Sequence, residues 1–295
     1  MRSKEEMLFL ITSVAREDPR IRAVMLSGSR TDPDAVPDEY QDYDVVYFVR
    51  DVSPFWDNTE WVERSFGRPA LMQKPETMRL IPPDGDGKFV YLMLFPDGNR
   101  IDLSVTSDPY EDDGEPVEVL LDKDGIIPPL RPDRGYWFVK RPDQKRFSDC
   151  SNEFYWCLQN VAKGLARDEV SYAMDMREDP VRNMLIQMVS WRIGADRDFR
   201  VSVGKRGKRF KDLLPEEEYD LFLRTYSDAS PENAWKALRN MVSLFGRCAR
   251  HTAQRLGFRF REDEEKAALI YMDAVYQKCN RNAEKEDAEN GSQRV

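Results

Sequence analysis

Histidine, paired cysteines and long apolar runs are scarce in this chain. The one histidine, His251, lies in a stretch of helical periodicity and is a weak basis for a mechanism that needs a histidine base. The four cysteines show no CxxC spacing, so we expect neither a disulfide framework nor a thiolate zinc site, but reduced thiols in a cytoplasmic protein. No apolar run approaches the roughly 18 residues of a membrane span, and the N-terminus lacks the pattern of a secretory signal.

An excess of positive charge is also missing. The 295 residues include 45 Lys and Arg but 54 Asp and Glu, a formal net charge of −9. The acid is concentrated in residues 1–140, which hold 17 basic and 28 acidic residues, whereas residues 141–295 hold 28 and 26. Because nucleic acid binds to basic surfaces, this balance argues against nucleic acid as a partner.

The hydrophobic pattern changes along the chain. An amphipathic helix is predicted over Lys4–Glu17, followed by strands at 22–27, 43–49, 89–95, 100–106 and 117–121. In the second half the period is helical throughout, at 152–166, 181–193, 232–256 and 264–276. This arrangement predicts an α+β protein with a strand-containing domain over residues 1–140, an all-α helical bundle over 141–280, and a polar, disordered tail over 281–295.

Carboxylates stand in the predicted strands of the first domain. Asp42 and Asp44 lie two residues apart, so their side chains point to one face, about 6–7 Å apart along the strand. Asp102 lies between Ile101 and Leu103, which should face the core, and an aspartate in an apolar strand is costly unless it is paired or binds a metal. If the two strands are neighbours, three carboxylates converge into an oxygen-only site, which Mg²⁺ prefers.

A glycine turn precedes these acids. Gly28 and Ser29 follow the first buried strand, and glycine lets the backbone approach a phosphate that N–H groups and the Ser29 hydroxyl can hold. Arg30 would add positive charge. Each feature also has a plainer interpretation: an ordinary turn, a solvated strand edge at the first two aspartates, and an ion pair between Asp102 and Arg100, which share a face.

In this order, the three features resemble the signature of the polymerase-β-like nucleotidyltransferases. A longer resemblance, over about residues 20–275, is to the aminoglycoside 6-adenylyltransferases, which modify streptomycin. The stretches that carry it are MLSGSRTDP, YQDYDVVYFV, FPDGNRIDLSVT, NEFYWCLQNVAKGLARDEVSYAMD, MVSWRIG and SVGKRGKRFKDLL. One departure from the general signature is Ser27, which stands where an apolar residue is more usual.

The resemblance implies a fold and a reaction. The fold is a nucleotidyltransferase domain with a mixed β-sheet flanked by helices, then a helical substrate-binding domain, with the active site between them. The reaction transfers AMP from ATP, with Mg²⁺ as cofactor, to the 6-hydroxyl of streptomycin, releases pyrophosphate and confers antibiotic resistance. The partners are therefore a small-molecule aminoglycoside and ATP, with no nucleic acid or membrane, and we expect a monomer or weak dimer.

Carried onto this chain, the resemblance assigns catalytic and metal-binding roles to Asp42, Asp44 and Asp102. The first two would hold Mg²⁺ against the ATP phosphates, and Asp102 would bind metal, act as general base on the acceptor hydroxyl, or both. Residues expected to bind the nucleotide are Gly28, Ser29, Arg30 and Lys205, with Lys208 as an alternative to Lys205 in the same basic, glycine-containing loop.

The acceptor carries guanidinium groups and an amine, which favour carboxylates and aromatic faces. Candidate contacts in the helical domain are Glu153, Trp156, Asp168, Glu169, Asp175 and Trp191. Other interpretations stay open: an enzyme with a different acceptor, a nucleotide-binding regulator without catalysis, or an RNA nucleotidyltransferase. The last would need a basic track for the strand, which the acidic first domain does not favour.

Overall fold

The computed structural model describes residues 1–80 and 87–292, with side chains up to residue 281. The chain divides into two compact units, Met1–Tyr136 and Trp137–Val295. Among the described residues, none of the helices is both long and apolar enough to span a membrane. The predicted α+β class is confirmed, with a sheet in the N-terminal unit and helices in the C-terminal unit.

The N-terminal unit contains every described strand of the sheet. Its elements are α1 (Lys4–Glu17), β1 (Ile21–Ser27), β2 (Tyr43–Val49), α2 (Thr59–Phe66), β3 (Leu71–Gln73), β4 (Phe89–Leu94), β5 (Arg100–Thr106) and β6 (Glu118–Asp122). The predicted bounds of α1, β2 and β5 are confirmed to the residue. Sequence periodicity does not predict α2 and β3, because elements of 8 and 3 residues are too short to show a period.

Within the described residues, six strands form one mixed sheet in the order β3-β4-β5-β2-β1-β6. The central pair, β2 and β5, is parallel, and every other neighbouring pair is antiparallel. A parallel pair places the starts of both strands at the same end of the sheet, and the antiparallel β1 ends there too. One end of the sheet therefore collects the start of β2, the start of β5 and the end of β1.

Side-chain alternation gives the two faces of this sheet different chemistry. Apolar side chains such as Tyr43, Val45, Ile101 and Leu103 are buried in one core with residues of α1 and α2. Burying a side chain of this size contributes about 1.5–3 kcal/mol to the free energy of unfolding, which fixes the register of the central strands. The alternate residues, Asp44 and Asp102 among them, point to the opposite face and are only partly buried.

The C-terminal unit is helical throughout its regular structure. Its helices are α3 (Gln144–Ala166), α4 (Val170–Met176), α5 (Arg182–Asp196), α6 (Phe210–Leu213), α7 (Glu216–Leu223), α8 (Pro231–Leu256) and α9 (Glu262–Ser292), with a π-helical turn, Arg177–Val181, between α4 and α5. The core is aromatic in part: Phe154 of α3 stacks on Phe245 of α8 with ring centroids 3.8 Å apart. The backbone of α9 reaches Ser292, and residues 293–295 of the predicted tail lie outside the described residues.

The histidine and the four cysteines lie in helices of the C-terminal unit. His251 is half-buried on α8, with its Nε2 atom 2.8 Å from Oδ1 of Asp196. The cysteines are free thiols, and three of them, Cys150, Cys157 and Cys248, are buried.

Candidate active site

The sheet brings the glycine turn and two of the aspartates together. Ser27, the last residue of β1, is paired with Asp44 of β2, and Asp44 is in turn in register with Asp102 of β5. The strands are therefore neighbours. The sequence predicts that the carboxylates converge if these two strands lie side by side. Asp42 immediately precedes β2 at the same end of the sheet.

Gly28 lies directly against Asp44. Its φ of +73° is in the left-handed region that favours glycine, and a Cβ added to it would lie 2.1 Å from the Oδ2 atom of Asp44. No real Cβ contact is that short, so only glycine allows the turn and the carboxylate to occupy these positions together. The backbone can thus approach a ligand held at this carboxylate.

Arg100 lies between the carboxylates. Its Nε and Nη2 atoms donate to Oδ1 and Oδ2 of Asp102 at 2.8 and 2.7 Å, which is a bidentate ion pair. Its Nη1 atom lies 3.5 Å from Oδ2 of Asp42. The plainer interpretation of Asp102, an ion pair with Arg100, is therefore part of this structure.

The local electrostatics follow from this arrangement. Burial raises the pKa of Asp42 above its ordinary value; Arg100 opposes the rise, and the charge of Asp102 adds to it. The pKa of the Arg100 guanidinium is raised in turn, first by its hydrogen bond to Asp102 and then by the charges of the aspartates around it. One cation thus neutralises part of the charge of a cluster of acids.

The donor atoms suit Mg²⁺, since carboxylate oxygens are its preferred protein ligands. The arrangement does not yet form a metal centre, however. In residues 1–80 and 87–281, whose side chains the structure describes, no group of three or more His, Cys, Asp and Glu side chains is placed to hold a metal ion. The guanidinium of Arg100 occupies both oxygens of Asp102 instead.

Arg30, for which the sequence predicts a phosphate contact, donates hydrogen bonds to backbone carbonyl oxygens of its own loop. Its Nε atom donates to the carbonyl oxygen of Asp42 at 2.9 Å and its Nη2 atom to that of Gln41 at 2.6 Å, while the guanidinium stacks 3.6 Å from the centre of the Tyr43 ring. The Gln41 amide donates back to the carbonyl oxygen of Ser29 at 2.9 Å. Arg30 therefore fixes the loop that carries Asp42, and a phosphate contact by Arg30 stays a prediction.

Glu115 is a fourth acid at this end of the sheet. Burial raises its pKa, a hydrogen bond from the Gly28 backbone lowers it, and the charges of Asp113 and Asp44 add to the rise. Its position follows from the pairing of β6 with β1, in which Glu118 is opposite Leu26. The acidic run EDDGE before β6 is the only sequence signal, and it does not indicate which strand β6 joins.

The helical unit contains a cavity of about 680 Å³, a size typical of small-molecule sites. Two predicted acceptor contacts line it, Glu153 of α3 and Trp191 of α5. The cavity also contains a second acid, Asp149, one turn before Glu153 on the same face of α3, and a second indole, Trp137. Two basic residues, Lys140 and Arg146, complete its charged lining.

The other predicted acceptor contacts lie elsewhere in this unit. Trp156 is 66 % exposed on α3 and does not line the cavity. Asp168 and Glu169 are exposed at the turn between α3 and α4, where Glu169 lies 3.7 Å from Arg167. Asp175 is exposed on α4. The structure therefore does not bring these four residues to the cavity.

The predicted phosphate contact Lys205 is exposed, in a short 3₁₀ turn (Lys205–Gly207). The preceding residue, Gly204, has a φ of +68° and lines the same cavity as Glu153. Lys208 packs its aliphatic stem close to Gly204 and is also exposed. The basic loop thus borders the cavity, and its contact with a nucleotide stays a prediction.

Comparison of the chain with known protein families identifies the family to which it belongs. The family model described as streptomycin adenylyltransferase matches residues 1–275, which is nearly the whole chain. The chain belongs to the streptomycin adenylyltransferase family. It is therefore a nucleotidyltransferase, and the resemblance drawn from the motifs is confirmed.

Curated members of this family are similar over most of their length. An aminoglycoside 6-adenylyltransferase of Bacillus subtilis (strain 168) is 38 % identical over 94 % of this chain and 99 % of its own. Enzymes of the same name are 38 % identical in Campylobacter jejuni, over 90 % of this chain and 93 % of theirs, and 33 % identical in Staphylococcus aureus, over 83 % and 89 %. The similarity therefore extends over both units of this chain.

Proposed function

We propose that this protein transfers AMP from ATP to the 6-hydroxyl of streptomycin in an Mg²⁺-dependent reaction that releases pyrophosphate and confers resistance to the drug. The observation that supports this most is the sheet register that places Asp44 beside Asp102, with Gly28 packed against Asp44. This is the constellation by which a nucleotidyltransferase positions a triphosphate. The similarity to aminoglycoside 6-adenylyltransferases supplies the class of acceptor.

The donor half of the reaction belongs to the N-terminal unit. Asp42, Asp44 and Asp102 would hold Mg²⁺, which would neutralise phosphate charge. Gly28 leaves room for the backbone to approach the phosphates, and Ser29 lines a cavity of about 300 Å³ next to that turn, together with Lys4. Positioning and charge neutralisation are then the main sources of rate enhancement.

The chemical step needs a proton acceptor near the attacking oxygen. The streptomycin hydroxyl oxygen attacks the α-phosphorus, the bond from that phosphorus to the bridging oxygen breaks, and pyrophosphate leaves. Asp102 accepts the hydroxyl proton, since a carboxylate has more lone pairs than one metal contact would use. The products are adenylylated streptomycin and pyrophosphate.

The acceptor half is assigned to the cavity of the helical unit. Streptomycin carries two guanidinium groups, which bind carboxylates in a bidentate manner and stack on indole rings. Asp149 and Glu153 lie on one face of α3 in this cavity, and Trp137 and Trp191 line it as well. Among the described residues, Glu153 has no basic partner within ion-pair distance; its Oε1 atom accepts from the Cys157 thiol at 3.3 Å, and a carboxylate has further lone pairs for a ligand cation.

The function is tested by pyrophosphate release with Mg²⁺ and ATP, using streptomycin, spectinomycin and kanamycin as separate acceptors. We expect release with streptomycin alone, dependent on the metal, and a product heavier by one adenylyl group. Mass spectrometry of that product, with NMR to locate the modified hydroxyl, identifies the position. Release with another acceptor only, or ATP binding without turnover, would contradict the proposal.

The acceptor cavity gives a prediction for Glu153. In the Glu153→Gln variant we expect the KM for streptomycin to rise about 10- to 100-fold, the value of one charge-assisted hydrogen bond, with kcat and the KM for ATP unchanged. The matched control is Glu169→Gln, which changes an exposed glutamate of the same unit outside the cavity. Equal KM values for the two variants would place the acceptor elsewhere.

A further inference from the structure

The ion pairs of Arg100 leave a difficulty for metal binding. Both oxygens of Asp102 accept from one guanidinium, at 2.8 and 2.7 Å, and the same group reaches to 3.5 Å from Asp42. Mg²⁺ binds carboxylate oxygen at about 2.0–2.1 Å with strict geometry. A metal ion at these oxygens would lie within a few ångströms of the guanidinium, and two cations repel at that distance.

We propose that Arg100 is the resident counter-ion of this carboxylate cluster and competes with the metal for Asp102 and Asp42. The inference rests on the proposed function, because it concerns the metal that the function requires. In the metal-free protein the guanidinium holds together acids that would otherwise repel each other. Metal binding requires that it leave them, so Arg100 sets the metal affinity as a positioning residue.

The placement of Arg100 on β5 supports this assignment. It precedes Asp102 by two residues, so the two side chains lie on the same face of one strand. The ion pair is only partly buried, with Arg100 43 % and Asp102 21 % exposed. A partly solvated ion pair is weak enough to exchange for a stronger ligand, whereas a fully buried one is costly to open.

The chain offers a matched control for this pair. Arg22 forms the same kind of bidentate pair with Asp124, with Nε donating to Oδ2 at 2.7 Å and Nη2 to Oδ1, in the same unit. Asp124 is not one of the three clustered aspartates, and Asp42 and Asp102 take no part in this pair. Removing Arg22 therefore removes an arginine–aspartate pair without changing the charge between Asp42 and Asp102.

The test measures metal binding in the absence of nucleotide. Mn²⁺ is titrated into wild type, Arg100→Gln, Arg100→Lys and Arg22→Gln, and the free ion is followed by electron paramagnetic resonance. We expect Arg100→Gln to bind Mn²⁺ about tenfold more tightly than wild type, Arg100→Lys to lie between them, and Arg22→Gln to match wild type. Adding Asp102→Asn to Arg100→Gln should abolish the gain.

Thermal unfolding with and without Mn²⁺ gives a second readout. The rise in Tm on adding the metal should be larger for Arg100→Gln than for wild type, because tighter binding stabilises the folded state more. Equal or weaker Mn²⁺ binding in Arg100→Gln, including no binding in either protein, would overturn the inference. If wild type adenylylates streptomycin and the two Mn²⁺ affinities are equal, only the proposed role of Arg100 is wrong. If wild type does not adenylylate streptomycin, the proposed function is wrong.

Discussion

Replacing Asp102 by asparagine is expected to reduce kcat for streptomycin-dependent pyrophosphate release by about 10²- to 10⁴-fold, the usual contribution of a general base. The substitution keeps the shape of the side chain and removes the charge that can accept the hydroxyl proton. Its neighbours Ile101 and Leu103 are fully buried, so the strand holds the position of residue 102 in the variant. The loss of the partly solvated pair with Arg100 costs about 1 kcal/mol of stability.

The control for this variant is Asp124→Asn, which removes an aspartate that pairs with an arginine outside the cluster. We expect its kcat to equal that of wild type. Both variants should unfold cooperatively and keep the circular dichroism of wild type. If Asp102→Asn retained wild-type turnover, Asp102 would be only the partner of Arg100, and neither the base nor the metal role would stand.

Gly28→Ala is the second change with a large expected effect. The new Cβ would lie 2.1 Å from Oδ2 of Asp44, so that the carboxylate or the turn has to move. A displacement of about 1 Å at a reacting centre costs about 100-fold in rate, and we expect a loss of that size in kcat. The φ of +73° adds a loss of stability of about 1–3 kcal/mol, because alanine is strained in that conformation.

Gly125→Ala separates the two effects. Gly125 has a φ of +67°, but apart from its two chain neighbours no described residue has an atom within 4 Å of the position of its added Cβ. Alanine there should lower the free energy of unfolding by a similar amount while kcat stays at the wild-type value. Chemical denaturation and steady-state kinetics on both variants check this. Equal kcat values for the two would show that the contact between Gly28 and Asp44 has no catalytic role.

The helical unit shows that side-chain type alone does not locate a binding site. Six residues fit the chemistry of a guanidinium-bearing acceptor, and the structure brings Glu153 and Trp191 to one cavity but not the other four. Three of them, Glu153, Trp156 and Trp191, lie in segments with helical periodicity, and a period gives the face of one helix, not the neighbour that this face meets. The cavity lies where α3 and α5 approach each other, and contacts between helices decide that approach.

Arg30 and Arg100 show how far charge in a motif predicts a contact. The motif assigns Arg30 to the phosphates, whereas for Arg100 the sequence offers an ion pair with Asp102, which the structure contains. The structure uses the donors of Arg30 on the carbonyl oxygens of Gln41 and Asp42, and those of Arg100 on the carboxylates. Which acceptor a long side chain meets depends on loop closure and strand pairing, neither of which a motif contains.

The sequence by itself determined the class of the fold, the bounds of α1, β2 and β5, the order of the motif and the family. These are properties of local periodicity and of residue spacing, which folding does not alter. Only the tertiary structure decided that β2 and β5 pair in parallel with Asp44 opposite Asp102, that β6 brings Glu115 to Gly28, and that Arg100 lies 3.5 Å from Asp42 as well as pairing with Asp102. Those contacts join residues far apart in the chain, and burial of the apolar face of the sheet selects one pairing and one register among those that the local pattern allows.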